Sequence, residues 1–203
     1  MACTLTKGLT VDCKDQIGGL KAVFFASTYS PEIRSAATFN GTDVLQMDTA
    51  GFTGWTAYGT PTGSTVTVYK YTLRPNLSSM TVNINSDPAT GTTWFEQTLS
   101  LQLQKLTVAQ TNELKLISYN RAQVFVQDVN DNVFLLGMDN GCDVSGGTAV
   151  TGAAKSDMTG FTLELRAEEK DPMIWIKPTS GGGTDYPFDQ LGDADADLTI
   201  VAS

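Results

Sequence analysis

Two acidic runs contain the residues best suited to hold a cation. Asp128, Asn130 and Asn132, and again Asp193, Asp195 and Asp197, place oxygen ligands at alternate positions, as calcium loops do. Neither run has the glycine at the sixth position or the closing glutamate of such a loop. The first reads as a hairpin turn and the second as solvated charge, so no metal site is expected. Gly147 to Ser156, GTAVTGAAKS, nearly spells a phosphate-cradling loop, but Lys155 falls two residues late and the segment leads toward a strand rather than a helix N-terminus. A Gly/Ala/Thr-rich connection between strands is the expectation there, without nucleotide. Glu96, Glu164 and Glu168 are acids of the kind glycoside hydrolysis uses in pairs across a cleft, but nothing in the sequence sets two of them that way. Trp55, Trp94 and Trp175 could form a sugar-stacking platform, although aromatics on strands more often serve a core or an interface. The chain has no histidine, which removes the usual proton shuttle near neutral pH and the commonest metal ligand. Its three cysteines, Cys3, Cys13 and Cys142, lack zinc-ligand spacing. Reduced thiols are expected, with a Cys3–Cys13 bridge as the alternative. The chain is read as no enzyme, with no catalytic residue and no cofactor.

The elements that would carry these residues are mostly strands. Of 203 residues 41% are apolar and only 17% charged, with abundant Thr and Gly, a balance that favours strands and turns. The longest alternation is TTWFEQTLSLQLQKL, residues 92–106, where Phe95, Leu99, Leu101 and Leu103 share one face and Glu96, Thr98, Ser100, Gln102 and Gln104 the other. At about 3.3 Å per residue that run reaches roughly 50 Å, more than a small domain needs for its own core. Further strands are expected at 21–27, where a continuous apolar run implies burial on both faces, around 44–47, at 65–73, 79–85, 122–129, 133–138, 160–167 and 173–177. Arg74-Pro75-Asn76 and Asn130-Asp131-Asn132 mark turns. Residues 107–119 form the one expected helix, opened by the Thr107/Gln110 capping pattern and carrying a narrow Leu114/Ile117 stripe. These elements make a single β domain over 1–177, with a loop-rich insertion around 31–64. A Gly-rich acidic linker and C-terminal arm follow over 178–203, with a pairing segment at 198–202. The net charge of −9 and scattered Lys and Arg offer no basic stripe for nucleic acid. No run approaches the roughly 18 apolar residues of a membrane span, and the chain is expected to be soluble when made.

The order of several segments resembles the structural proteins of tailed bacteriophages, and most of all the tail tube (major tail) protein family. They are MACTLTKG with Cys13-Lys14 and Gly18-Gly19-Leu20-Lys21-Ala22-Val23, then FEQTLSLQLQKL, ELKLISYNR, QDVNDNVFLLGMDNG and GGTAVTGAAKSDMTGFTLELRAEEKDPM. The resemblance covers residues 1–30 and roughly 78–177; it leaves out 31–64 and everything after Pro178. It implies an antiparallel β-sandwich or closed barrel with one flanking helix. It also implies a virion protein, made in the host cytoplasm, whose copies close into a ring, commonly of six, stacked as a tube with other tail proteins. DNA passes through such a tube without tight binding. The long strand, with Trp94, Phe95, Glu96, Leu99, Leu101 and Leu103, is then the candidate subunit interface. Two alternatives stay open: a head-decoration, connector or baseplate protein, and a carbohydrate- or receptor-binding sandwich that would use Trp55, Tyr58 and the Gly-rich loop.

Overall fold

The computed structural model describes residues 16–27, 29 and 66–177, together with three short strand segments at 38–39, 46–48 and 198–202. In chain order the elements are β1 (Leu20–Ala26), β2 (Thr38–Phe39), β3 (Gln46–Asp48), β4 (Val66–Thr72), β5 (Ser79–Asp87) and β6 (Thr92–Gln104). Helix α1 (Val108–Tyr119) follows, then β7 (Val124–Asp128), β8 (Val133–Leu136), β9 (Asp143–Val150), β10 (Gly160–Glu169), β11 (Ile174–Lys177) and β12 (Leu198–Ala202). They form two sheets: eight strands in the order β12-β4-β1-β7-β8-β11-β3-β2, and four in the order β5-β6-β10-β9. The smaller sheet is antiparallel throughout. The larger is antiparallel except at β11–β3 and β12–β4. Both sheets have free ends among the described residues, so of the two expected forms the sandwich is the one found, not the closed barrel.

The sandwich core follows from alternation. Leu99 and Leu101 of β6 and Leu163 and Leu165 of β10 turn toward Val23 and Phe25 of β1, Val124 and Val126 of β7 and Leu136 of β8, all nearly inaccessible to water. Burying each such side chain contributes about 1.5–3 kcal/mol. The first strand is buried on both faces as its apolar run implied: Phe24 points away from that core and is also fully buried. Thr107 caps α1, its hydroxyl accepting the Gln110 backbone N–H at 3.2 Å, and Leu114 and Ile117 pack partly buried against the core. The turn residues behave as their types require, with Asn76 and Asp131 both at φ 64.

Three features go beyond the sequence reading. Only the later part of the Gly/Ala/Thr-rich segment is a connection: its residues 147–150 end strand β9, Asp143–Val150, paired along β10, and 151–159 link the two strands. Gly147 is needed for close approach, since a Cβ there would lie 2.7 Å from the carbonyl oxygen of Thr162. The candidate arm segment Leu198–Ala202 pairs in parallel with β4 at the edge of this chain's own larger sheet. The rest of the expected insertion and linker, including Trp55, Tyr58 and Asp193 to Asp197, lies outside the described residues, as do Cys3 and Cys13 near the N-terminus.

A third feature is Gln97, a polar residue on the apolar face of β6 and only 3% exposed. Its amide nitrogen donates to the carbonyls of Asp171 at 3.2 Å and Pro172 at 2.8 Å, and its oxygen accepts the Gly137 N–H at 2.9 Å. The side chain thus ties the smaller sheet to the turn after β8 and to the link between β10 and β11. Gln97→Leu should lower unfolding free energy by about 1–3 kcal/mol through the Gly137 amide left buried without a partner. Chemical denaturation would show this, and unchanged stability would mean the amide finds another acceptor.

Candidate assembly surface

Strand β6 is interior to its sheet, and this locates the surface that remains open. It pairs with β5 over residues 92–100 and with β10 over 95–104. Its length therefore serves two staggered partners within the chain, and the expectation that its spare backbone groups reach another subunit shifts to its neighbours. Among the described residues, the flanks of this smaller sheet without a partner are the outer sides of β5 and β9, while the larger sheet is open at β12 and β2. Of the candidate interface residues, Leu99 and Leu101 are buried in the core. Leu103 is partly buried against it, and Phe95 is half-buried on the same face. Trp94 and Glu96 lie on the opposite, outward face. The sequence reading put Phe95, Leu99, Leu101 and Leu103 on one face and Glu96 on the other, and the structure keeps that division.

That outward face is a polar wall. Ser79, Thr81 and Asn83 of β5 stand opposite Ser100, Thr98 and Glu96 of β6. Thr162, Glu164, Arg166 and Glu168 of β10 stand opposite Gln102, Ser100, Thr98 and Glu96. The Thr148 and Thr162 hydroxyls hydrogen-bond at 2.6 Å. Arg166 is the only Lys or Arg in these four strands. It sits between carboxylates: its Nε is 2.9 Å from Glu96 and an Nη is 2.8 Å from Glu168. Glu96 and Glu168 face each other directly across the ladder, an unfavourable like-charge pair that the guanidinium offsets. The net charge of the wall is negative. At the β5–β6 hairpin the Asp87 carboxyl is held below its ordinary range because it accepts the Ala89 amide at 2.9 Å. In the β9–β10 turn, Asp157 is lowered in the same way by the amides of Ala154 and Ala153.

The other candidate chemistry is absorbed by local structure. Asp128 accepts the Asn132 backbone N–H at 2.7 Å and its side-chain amide at 2.8 Å, closing a hairpin turn. Cys142 is a buried free thiol whose pKa burial pushes up, so it is unreactive at neutral pH. Trp94 and Trp175 lie on different sheets, and Trp175 packs edge-on against Phe134 with centroids 4.6 Å apart. Glu96, Glu164 and Glu168 share an open sheet face and line no cleft together. No helix among the described residues is long and apolar enough to cross a membrane.

Fold and surface together define a mainly β protein, a two-sheet sandwich with one flanking helix among the described residues and a four-stranded sheet whose outer face is polar. No family model matches the sequence and no curated protein matches it. A chain of a solved structure described as the virion of a native gene transfer agent (GTA) particle is similar at a TM-score of 0.34 and 5% identity, covering 53% of this chain and 89% of that one. The functional reading does not rest on that likeness.

Proposed function

We propose that this protein is a self-assembling structural component of a phage-type tail tube. Its four-stranded sheet would join that of the next copy around a channel that lets DNA pass. The observation that carries this reading is the parity of the sheet. Its four strands alternate in direction, so β5 at one edge runs antiparallel to β9 at the other. A rotation about an axis preserves both strand direction and the face turned outward. The β9 edge of one copy can therefore accept β5 of the next in an antiparallel ladder, and every seam repeats the same contact. A head-to-tail contact that closes gives a ring, and one without free edges. An odd number of strands would break the alternation at each seam.

The polar wall supports the same reading. With the apolar side of the sheet committed to the sandwich core, the Thr, Ser, Asn, Gln and Glu side would face the channel. Carboxylates and neutral hydroxyls repel or ignore phosphates, and contact there releases no counterions. Two of the segments that carry the resemblance to tail tube proteins, FEQTLSLQLQKL and GFTLELRAEE, build β6 and β10 of this sheet. The protein acts in this reading as structure rather than as a catalyst, with itself and other tail proteins as partners.

Sedimentation over a concentration series tests the proposal. It should show a discrete closed oligomer, six copies by the resemblance, and longer stacked species as concentration rises. A monomer at all concentrations, whose tryptophan fluorescence shifts with glycans, would favour the sugar-binding sandwich instead.

A further inference from the structure

We infer that the seam between copies has a defined register. Ile84 of one copy seats beside Gly147 and Ala149 of the next, under the flank of helix α1 that carries Val108 and Tyr119. This rests on the ring reading above and specifies its contact.

The register comes from the stagger of the sheet. Measured along β6, strand β5 lies opposite residues 92–100, β10 opposite 95–104, and β9, through its pairing with β10, opposite 98–104. The strand centres thus move along the strand direction by about one and a half to two residues at each step, in one sense across all four strands. Strands that tilt around a common axis are offset in this way, because those at equal height are displaced along their own direction. Continuing the same stagger by one strand brings the next copy's β5 fully alongside β9. Its centre, Asn83, then falls near the level of Gln102. Side-chain parity narrows the choice: Ile84 is on the sandwich-facing side of β5, opposite Phe95. On β9 the residues on that side at this level are Gly147 and Ala149, opposite Leu163 and Phe161.

The surfaces at both ends of this contact are apolar and open. Ile84 is 70% exposed, although its side of the sheet is the core side. Gly147 and Ala149 are exposed and small, leaving room for a branched neighbour. Helix α1 lies over this edge: Leu114 and Ser118 line one cleft with Val144, Gly147 and Ala149. At about 100° per residue, with Leu114 pointing inward, Ser118 turns about 40° toward β9, and Val108 and Tyr119 about 120–140° in the same sense. They therefore stand on the β9 side of the helix, turned up from the sheet, on a flank that Lys115, at about 100°, shares. Both are 81% exposed, an unusual state for a valine and a tyrosine on a helix that already buries a separate stripe. One extra strand laid along β9 would cover the exposed Ile84, reach the near side of this flank and supply the backbone partners that both edges lack among the described residues. A second copy of this chain is the occupant that carries such a strand with matching direction, parity and stagger.

Cross-linking tests the register. In a chain with Cys3→Ser and Cys13→Ser, the pair Ile84→Cys and Ala149→Cys should give a ladder of covalently linked chains with a short bis-maleimide. Each single cysteine variant should stay unlinked, Cys142 being buried. A linked dimer from Ile84→Cys alone would mean two copies of β5 face each other, a symmetric contact that overturns the inference. Rings seen by microscopy without the ladder would overturn the register while leaving the ring reading intact. Absence of any oligomer would end both. As a second arm, Val108→Lys with Tyr119→Lys removes no buried side chain. It should keep the circular dichroism spectrum and melting temperature while weakening self-association at least tenfold, and unchanged association would count against the contact with α1.

Discussion

Leu101→Asp should unfold the subunit, and Gln102→Asp, one residue along, should leave it folded. Leu101 is 1% exposed and lies between the two sheets with Leu99, Leu163 and Val126. Truncating it would cost about 2–5 kcal/mol in transfer and cavity terms, and burying a carboxylate without a partner adds several more. A domain whose whole stability is about 5–15 kcal/mol does not survive that. Gln102 is half-buried on the outward face opposite Thr162, where a carboxylate keeps much of its water. Its substitution should shift stability by roughly 0.5 kcal/mol or less. Thermal melts of the two variants decide the matter. Equal stabilities would mean that the faces of β6 are assigned wrongly.

The second large effect concerns DNA. The assembled protein should show no measurable binding to a short duplex even near 0.01 M salt, where the Debye length is about 30 Å and attraction is least screened. Thr98→Lys, Gln102→Lys and Thr162→Lys together should create binding without preventing assembly, because all three side chains lie on the outward face, half-buried at most. With the three lysines repeated in every copy, affinity should fall steeply with salt. A protein making 6–10 phosphate contacts loses about 10³–10⁵ in affinity between 50 and 200 mM. Fluorescence anisotropy against salt concentration measures both states. Salt-sensitive micromolar binding by the unmodified protein would remove the non-adhesive wall and favour a DNA-contacting connector.

Much of the fold was legible because its signals are local. The alternation in TLSLQLQ set the faces of β6, the unbroken run KAVFFAS marked a strand buried on both sides, and Asn130-Asp131-Asn132 marked a hairpin. What was hidden depends on partners far away in sequence. Gln97 reads as one polar residue in an alternating run, and its burial follows only from Gly137, Asp171 and Pro172 arriving to satisfy it. Strand β9 is written in Gly, Ser, Thr and Ala, types that ordinarily signal a loop; its glycine is there because Thr162 passes within reach of where a side chain would begin. The length of β6 was read from its alternation, but length alone could not say that two staggered strands would occupy both its flanks. The edges β5 and β9 emerge only from the strand order, and so does the parity argument that makes them complementary.

The central claim is that successive copies join β9 to β5 with the polar face turned to a channel, and a cryo-electron microscopy reconstruction of the concentrated protein addresses it most directly. The account predicts a closed ring in which four strands per copy continue without interruption from one subunit to the next. Glu96, Thr98, Gln102 and Thr162 should line the opening, and Ile84 should sit against α1 of the neighbour. A ring built through the larger sheet, or one with the polar face turned away from the axis, would contradict it.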